Sequence, residues 1–393
     1  MNYRAPDIYV EEVNTGPRPI GAVGTSMAAF LGVAPKADAF VLDPRPINNW
    51  TEFVRAYVPD QSAGGKSPST DLSHGVFGFF QNGGSRCIVV NLGKSKGLRD
   101  GLATLDSWDE VAIVAAPGFA DASSYDQLIS HCETLQDRVA ILDPPAEVKT
   151  IDALTKVAEV KAAGDDKTKV TSGRPRKSDR GFGAFYFPRI RVMDPLAAGN
   201  VLVEVPPSGH LAGVWARTDA SRGVHKAPAN EPLRGALDVT YRVTRAEQEV
   251  LNPAGVNCIR WFPTEGIRVW GARTVADEAS EWRYLNVRRL FNMIEESIAR
   301  GTRWVVFEPN DRPLWQDIKR DVSAFLRTLW RDGALMGRTP QEAFFVQCDE
   351  ETNPRESIDQ GRVVVVIGIA PVKPAEFIIF RIGQHAGGVE IEA

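Results

Sequence analysis

Apolar positions along the chain alternate between short continuous runs and helical stripes, with polar Pro- and Gly-rich stretches between them. Residues 27–34 (MAAFLGVA) are a continuous run of strand length, which predicts a buried strand. Residues 35–74 are rich in Pro, Gly, Ser and Asp and predict loops around a short helix near 50–57. Val76, Phe77, Phe79 and Phe80 form a helical set that stops at Asn82-Gly83-Gly84. Strands are expected at 87–92, 111–115 and 139–142, with a helix from Ser123 that places Leu128, Ile129, Cys132 and Leu135 on one face. This strand–helix–strand alternation predicts an α/β layer built on a parallel sheet.

Residues 160–181 are polar, basic toward their end and without periodicity. No aromatic residues interleave with the charges, so a solvated loop is favoured over a nucleic-acid contact. Strands are expected again at 182–187 and 201–205, then a helix and an irregular stretch to 235. Over 284–300, Val287, Leu290, Phe291, Ile294 and Ile298 make one stripe. Residues 304–307 read as a strand. Asp311 is placed to cap the next helix, with Pro313 in its first turn. That helix directs Leu314, Ile318, Val322, Phe325, Leu326 and Leu329 inward, and Gly333 closes it. Residues 343–348 and 363–369 follow as a hairpin-like pair of strands. Two strands are marginal alone and offer edges to an incoming segment.

The two ends depart from this pattern. Near the start, Ile8 and Val10 alternate with Tyr9 and Glu11 between Pro6 and Gly16-Pro17. Near the end, residues 377–382 form a β-rich run set apart by Pro371 and Pro374 and ended by Gly383. A lone strand leaves a row of unpaired N–H and C=O groups, so each arm must join an existing sheet. The pattern leaves open whether that sheet is the chain's own or a neighbouring copy's.

At 393 residues the chain has room for two or three domains. A net charge of −4 argues against nucleic acid or an acidic membrane surface as partner. No apolar stretch nears the ~20 residues needed to cross a bilayer, and the first twenty residues do not read as a secretory signal. Cys87, Cys132, Cys258 and Cys348 are widely separated and form no CxxC pair, so buried thiols are expected rather than a disulfide frame or zinc site.

No catalytic constellation stands out along the chain. Gly64-Gly65-Lys66-Ser67 lacks the upstream glycine, strand and helix of a phosphate loop. No GxSxG or HExxH pattern occurs, and no GxGxxG follows a strand. His210 and His225 flank Arg217, Asp219 and Arg222, which leaves an α/β hydrolase or transferase as an alternative reading. A hydrogen-bonded structural cluster is favoured, because no nucleophile is paired with a base. The pairs Glu11-Glu12, Glu295-Glu296 and Glu350-Glu351 are adjacent in sequence, so their side chains diverge and cannot act as an acid–base couple. No cofactor or metal signature appears.

Seven blocks, taken in order, resemble the contractile tail sheath family of myophage tails, R-type bacteriocins and extracellular contractile injection systems. They lie at 5–34, 77–92, 206–230, 268–275 (RVWGARTV), 286–298 (NVRRLFNMIEESI), 307–315 (FEPNDRPLW) and 374–384 (PAEFIIFRIGQ). The resemblance implies a mixed α/β fold of compact form. It implies an N-terminal exchange arm (1–22), an outer α/β domain (23–268), an inner tube-facing α/β domain (269–374) and a C-terminal exchange arm (375–393). Asp7, Ile8, Tyr9, Val10, Glu11, Glu12 and Val13 would form one exchanged strand, and Phe377, Ile378, Ile379, Phe380, Arg381 and Ile382 the other. Phe344, Val346, Val364 and Val366 would lie in the acceptor strands. Tube contact falls to a charged helix face, either Lys319, Arg320, Arg327 and Arg331 or Arg288, Arg289 and Glu295. The implied partners are further copies of the chain in helically stacked hexameric rings, an inner tail tube protein, and baseplate and tail terminator proteins. The implied role is structural rather than enzymatic. Assembly would take place in the bacterial cytoplasm, into a virion or a tail-like particle.

Overall fold

The computed structural model describes residues 19–59, 67–161, 169–170 and 173–379. Strand and helix alternate through its first half: β1 (Ala28–Gly32), β2 (Arg45–Ile47), α1 (Trp50–Tyr57), α2 (Asp71–Gln81), β3 (Cys87–Asn91), α3 (Leu98–Ala103), β4 (Ile113–Ala115), α4 (Ala122–Leu135) and β5 (Val139–Leu142). A two-residue pair, β6 (Val160–Lys161) with β7 (Lys169–Val170), lies within the stretch expected to be loop. Next come β8 (Gly183–Phe187), β9 (Ile190–Met193), β10 (Leu202–Val205), α5 (Ser208–Arg222), β11 (Glu231–Pro232), β12 (Ala236–Val239), α6 (Arg245–Leu251), β13 (Val256–Phe262) and β14 (Gly266–Trp270).

One nine-stranded sheet runs in the order β11-β14-β13-β8-β5-β4-β1-β3-β2. Its six central strands are parallel, while β2 on one flank and β14 and β11 on the other are antiparallel. All residues of β1, β3, β4, β5 and β8 are buried, as expected for strands covered on both faces. Alternate side chains feed two cores. Ala28 and Phe30 pack with Phe53, Phe79 and Trp215 of α1, α2 and α5, and Ala29 and Leu31 pack with Leu102, Leu128 and Cys132 of α3 and α4. Helices α2 and α5 come unusually close. A Cβ at Gly209 would lie 2.1 Å from the carbonyl oxygen of Gly75, so only glycine fits there.

A third cluster belongs to α7 (Leu285–Gly301), α8 (Arg312–Arg331), the single-turn α9 (Pro340–Ala343), β15 (Phe344–Gln347) and β16 (Val366–Ile369), with α10 (Arg355–Asp359) in the connection between the two strands. Helix α8 forms as its pattern requires. Asp311 accepts a hydrogen bond from the Leu314 N–H at 3.1 Å, worth about 1 kcal/mol. Leu314, Ile318, Val322, Phe325, Leu326 and Leu329 are all buried.

The strand expected at 304–307 is absent. Arg303–Val305 is a short 3₁₀ turn, with the Val305 N–H on Thr302 O at 2.9 Å and the Val306 N–H on Arg303 O at 3.3 Å. Among the described residues no strand pairs with it, and local turn bonds satisfy the backbone instead. Phe307 then sits fully exposed at a φ of 73°.

Candidate functional site

The small sheet has only two strands, and both are largely unburied. β15 and β16 pair antiparallel, with Phe344 opposite Ile369 and Val346 opposite Ile367. These four side chains face the α7–α8 cluster. On the other face Phe345 covers Gly368, and Phe345 and Val366 remain exposed. Among the described residues neither strand has a second strand partner. Residues 334–336 run beside the continuation of β16: Met336 N–H donates to Ala370 O at 2.8 Å and Val372 N–H to Ala334 O at 3.3 Å.

Of the expected acceptor residues, Phe344 and Val346 lie in β15 and Val366 in β16. Val364 lies two residues ahead of β16, and the Asn353 side chain takes both of its backbone groups. The Val364 N–H donates to Asn353 Oδ1 at 2.6 Å, and Asn353 Nδ2 donates to Val364 O at 3.0 Å. Asn353 imitates a strand neighbour there, and sequence pattern carries no signal for that.

Residues 7–13 of the first expected exchange strand fall outside the described residues, as do Phe380, Arg381 and Ile382 of the second. Phe377, Ile378 and Ile379 are described. They form no strand within the chain, and they expose 73%, 73% and 80% of their surface. Described residues close to both ends are anchored. On the amino side, Ile20 is buried against α7 and α8, and the Val23 N–H donates to Ser297 Oγ at 3.0 Å. Thr25 Oγ1 donates to Asp219 at 2.6 Å, and Arg289 reaches the Thr25 carbonyl at 3.0 Å. On the carboxyl side, the Glu376 carboxylate is held by Arg273.

Lys319, Arg320, Arg327 and Arg331 all lie on the exposed face of α8. Arg320 is partly neutralised by Asp317 at 2.7 Å and Asp321 at 3.2 Å. The alternative set does not form a surface. Arg288 is fully buried among the rings of Trp282, Phe182 and Phe291, 4.2, 4.7 and 5.9 Å from its guanidinium carbon. Burial pulls its pKa down to about 10, against the partial support of Glu295. Arg289 is buried in an ion pair with Asp219 at 2.6 Å. Only Glu295 of that trio is accessible. A helix that carries arginines on its packed side looks, in sequence, like one that carries them outward.

The polar residues between 210 and 225 serve separate structural ends. His210 is buried between α5 and α2, where a Cβ on Gly78 would meet its ring at 2.2 Å; neither ring nitrogen has a hydrogen-bond partner, and burial pushes its pKa down to about 3. Arg217 donates to Asn82 O at 2.8 Å and Pro232 O at 2.7 Å, and Asp219 is committed to Arg289 and Thr25. His225 is half-buried, and its carbonyl accepts from Asn286.

At the carboxyl end of β5, the buried Asp143 receives the N–H and hydroxyl of Ser208 at 2.8 and 2.6 Å, which caps α5. Ser69 donates to Asp194 rather than to His74, so these three groups do not form a nucleophile–base pair. Among the described residues no His, Cys, Asp and Glu cluster has metal-binding geometry, and no helix is long and apolar enough to cross a membrane. All four cysteines are buried and free.

Residues 97–275 match the phage tail sheath protein central domain, and residues 277–384 match the phage tail sheath C-terminal domain. The tail sheath protein of Vibrio phage KVP40 is 30% identical over 177 residues, which is 44% of this chain and 26% of that protein. A putative prophage major tail sheath protein of Pseudomonas aeruginosa is 28% identical over 201 residues, 50% of this chain and 49% of that protein. The chain thus matches half or less of the length of these two curated relatives. Among solved structures, the sheath complex of the extracellular contractile injection system PVC, in its contracted state, superposes with a TM-score of 0.76 at 29% identity, covering 98% of this chain and 99% of that one. The helical sheath of the anti-feeding prophage, also contracted, gives 0.74 at 28% identity over 98% and 100%.

Proposed function

Because the chain belongs to the phage tail sheath family, we propose that it is the repeating subunit of a sheath that forms hexameric rings, stacks them helically around an inner tail tube and contracts. The observation that carries this reading is the end-to-end match to sheath chains, 98% of this chain against 99% of one taken from a contracted sheath.

In this reading the strand at 7–13 and the strand at 377–382 pair with β15 and β16 of neighbouring copies. A head-to-tail contact of this kind need not close, so it builds a stack. The arm of residues 1–16 reaches at most ~55 Å when extended, at ~3.3–3.6 Å per residue. Subunits can therefore slide and rotate while their shared sheet stays paired. Each backbone hydrogen bond contributes only ~0.5–1.5 kcal/mol net, and repetition over every subunit makes the mesh hard to dissociate. The extended state would be metastable, and contraction would draw on interface free energy without nucleotide.

The exposed face of α8 that carries Lys319, Arg320, Arg327 and Arg331 would meet the tube. Baseplate and tail terminator proteins would bound the stack, and the particle would assemble in the bacterial cytoplasm as part of a phage tail or a tail-like particle. Electron microscopy of the purified chain tests this. Long hollow cylinders are expected, and uniform small particles with enzymatic turnover would sink the proposal. Deleting residues 1–16 should leave folded chains that no longer polymerise. If that shortened chain still forms tubes, the amino-terminal arm does not donate a strand.

A further inference from the structure

The end of the described chain is held by one polar cluster. Up to Val372 the backbone is tied down, its N–H on Ala334 O and its carbonyl on Asn286 Nδ2 at 3.1 Å. Over residues 373–379, the hydrogen bonds described are all made by the Glu376 carboxylate. It receives Arg273 Nε at 2.8 Å and Nη2 at 2.7 Å, Asn252 Nδ2 at 3.1 Å and, more distantly, the Tyr284 hydroxyl at 3.5 Å. Two parallel N–H to oxygen bonds of this kind fix direction as well as distance.

Arg273 is itself buried and held. Its N–H donates to Asn257 Oδ1 and its carbonyl accepts from Asn257 Nδ2, both at 2.7 Å, and its Nη1 donates to Asn252 O at 3.1 Å. Asn257 lies in β13, so the guanidinium fork is aimed by the large sheet. Burial opposes the charge on Glu376, but the bonds from Arg273 and then Asn252 outweigh it and hold the carboxyl below its usual range. The next three residues, Phe377, Ile378 and Ile379, are the exposed apolar ones.

We infer that the Arg273–Glu376 pair is the clamp that sets where the C-terminal strand leaves the subunit, which makes Glu376 a positioning residue for strand exchange. This inference rests on the strand-exchange reading above. With the clamp closed, the free arm begins at Phe377. With it open, the arm begins after Val372, and four residues of slack add up to about 14 Å at ~3.5 Å each. Slack lowers the effective concentration of the strand at its acceptor and loosens the spacing between copies. The clamp therefore joins the large sheet of one copy to the small sheet of the next by a tether of fixed root.

A nitroxide label on Ile379→Cys in the full-length unassembled chain tests the clamp directly, since the native thiols are buried. In Glu376→Gln the label should become more mobile with the circular dichroism unchanged. Polymer yield under matched conditions should fall about tenfold, and Glu376→Asp, which keeps the charge, should recover most of that yield. An unchanged label spectrum in Glu376→Gln overturns the clamp. A freed label with unaltered polymer yield and lattice overturns its role in positioning the strand. Removal of residues 377–393 separates the two ideas: tubes formed by that chain would sink C-terminal strand exchange while leaving the label result intact.

Discussion

The nine-stranded sheet ends on both sides in a short strand that contains proline, Arg45-Pro46-Ile47 on one flank and Glu231-Pro232 on the other. β15 (FFVQ) and β16 (VIGI) contain none, and apolar Phe345 and Val366 stay exposed on their outer face. Proline removes a donor and blunts an edge, so both flanks of the large sheet are guarded against added strands, while the small sheet carries no such guard. In the proposed sheath the large sheet would stay monomeric at its edges while the small one recruits neighbours, and the placement of proline would then separate a stable scaffold from an assembling surface.

The largest effects should come from breaking the scaffold. Trp215 is fully buried between α5 and the sheet, its Nε1 donating to the Tyr186 hydroxyl at 3.2 Å and the Arg289 guanidinium lying 4.8 Å from its ring. Trp215→Ala should cost about 3–5 kcal/mol, read as a lowered chemical-denaturation midpoint, and should reduce assembly only by depleting folded chains. A substitution of Phe345 on the small sheet should leave that midpoint almost where it was.

Acid should act on the same region next. His210 is buried neutral with its pKa near 3, against 6.5 for the free side chain. A depressed base means that the unfolded chain binds the extra proton, so stability is full above pH 6.5 and falls as pH drops toward 3. Between pH 7 and 5 the loss from this one group is about 2 kcal/mol. His131, lowered to about 4 chiefly by burial, adds in the same direction. Denaturation midpoints across that range test it, and a flat profile would mean that His210 is solvated.

Much of the scaffold is readable along the chain. The runs of β1, β3, β4 and β5 are legible as short continuous apolar stretches, because burial on both faces removes the alternation, and the stripes of α4, α7 and α8 follow from a period of 3.6, because burial on one face imposes it. β13 gives no comparable signal. Its buried Asn257 interrupts the apolar pattern and spends its amide on Phe185 O and Arg273, a bridging role visible only in three dimensions. The candidate site is legible in part. Short β-rich runs and the prolines and glycines that bound the ends point to β15, β16 and the two arms, while Arg288 and Arg289 carry no mark that distinguishes buried cations from exposed ones. Glu376 and Arg273 are 103 positions apart and meet only through the fold.

The smallest effect on stability should come from the most direct test of the contrast, which moves proline from one edge to the other. Pro46 faces Ile88 on the outermost strand of the large sheet, and Val366 faces Gln347 in the small one. Pro46→Val restores a donor to a guarded edge, and Val366→Pro removes the donor that pairs with Gln347 inside the small sheet. Each change alters about one hydrogen bond, so the fold of the isolated chain should shift by roughly 1 kcal/mol or less. The assembly outcomes should nonetheless be opposite. Val366→Pro should give folded chains that form no tubes, since breaking the pairing with Gln347 distorts the sheet that a donated strand would join. Pro46→Val should still form tubes, now with side-to-side association that grows with concentration and shows in light scattering. Tubes from Val366→Pro would mean that β16 is not an acceptor. The absence of lateral association in Pro46→Val would mean that the large sheet is protected by something other than proline, with its three-residue edge strand too short to template a partner as the remaining physical cause.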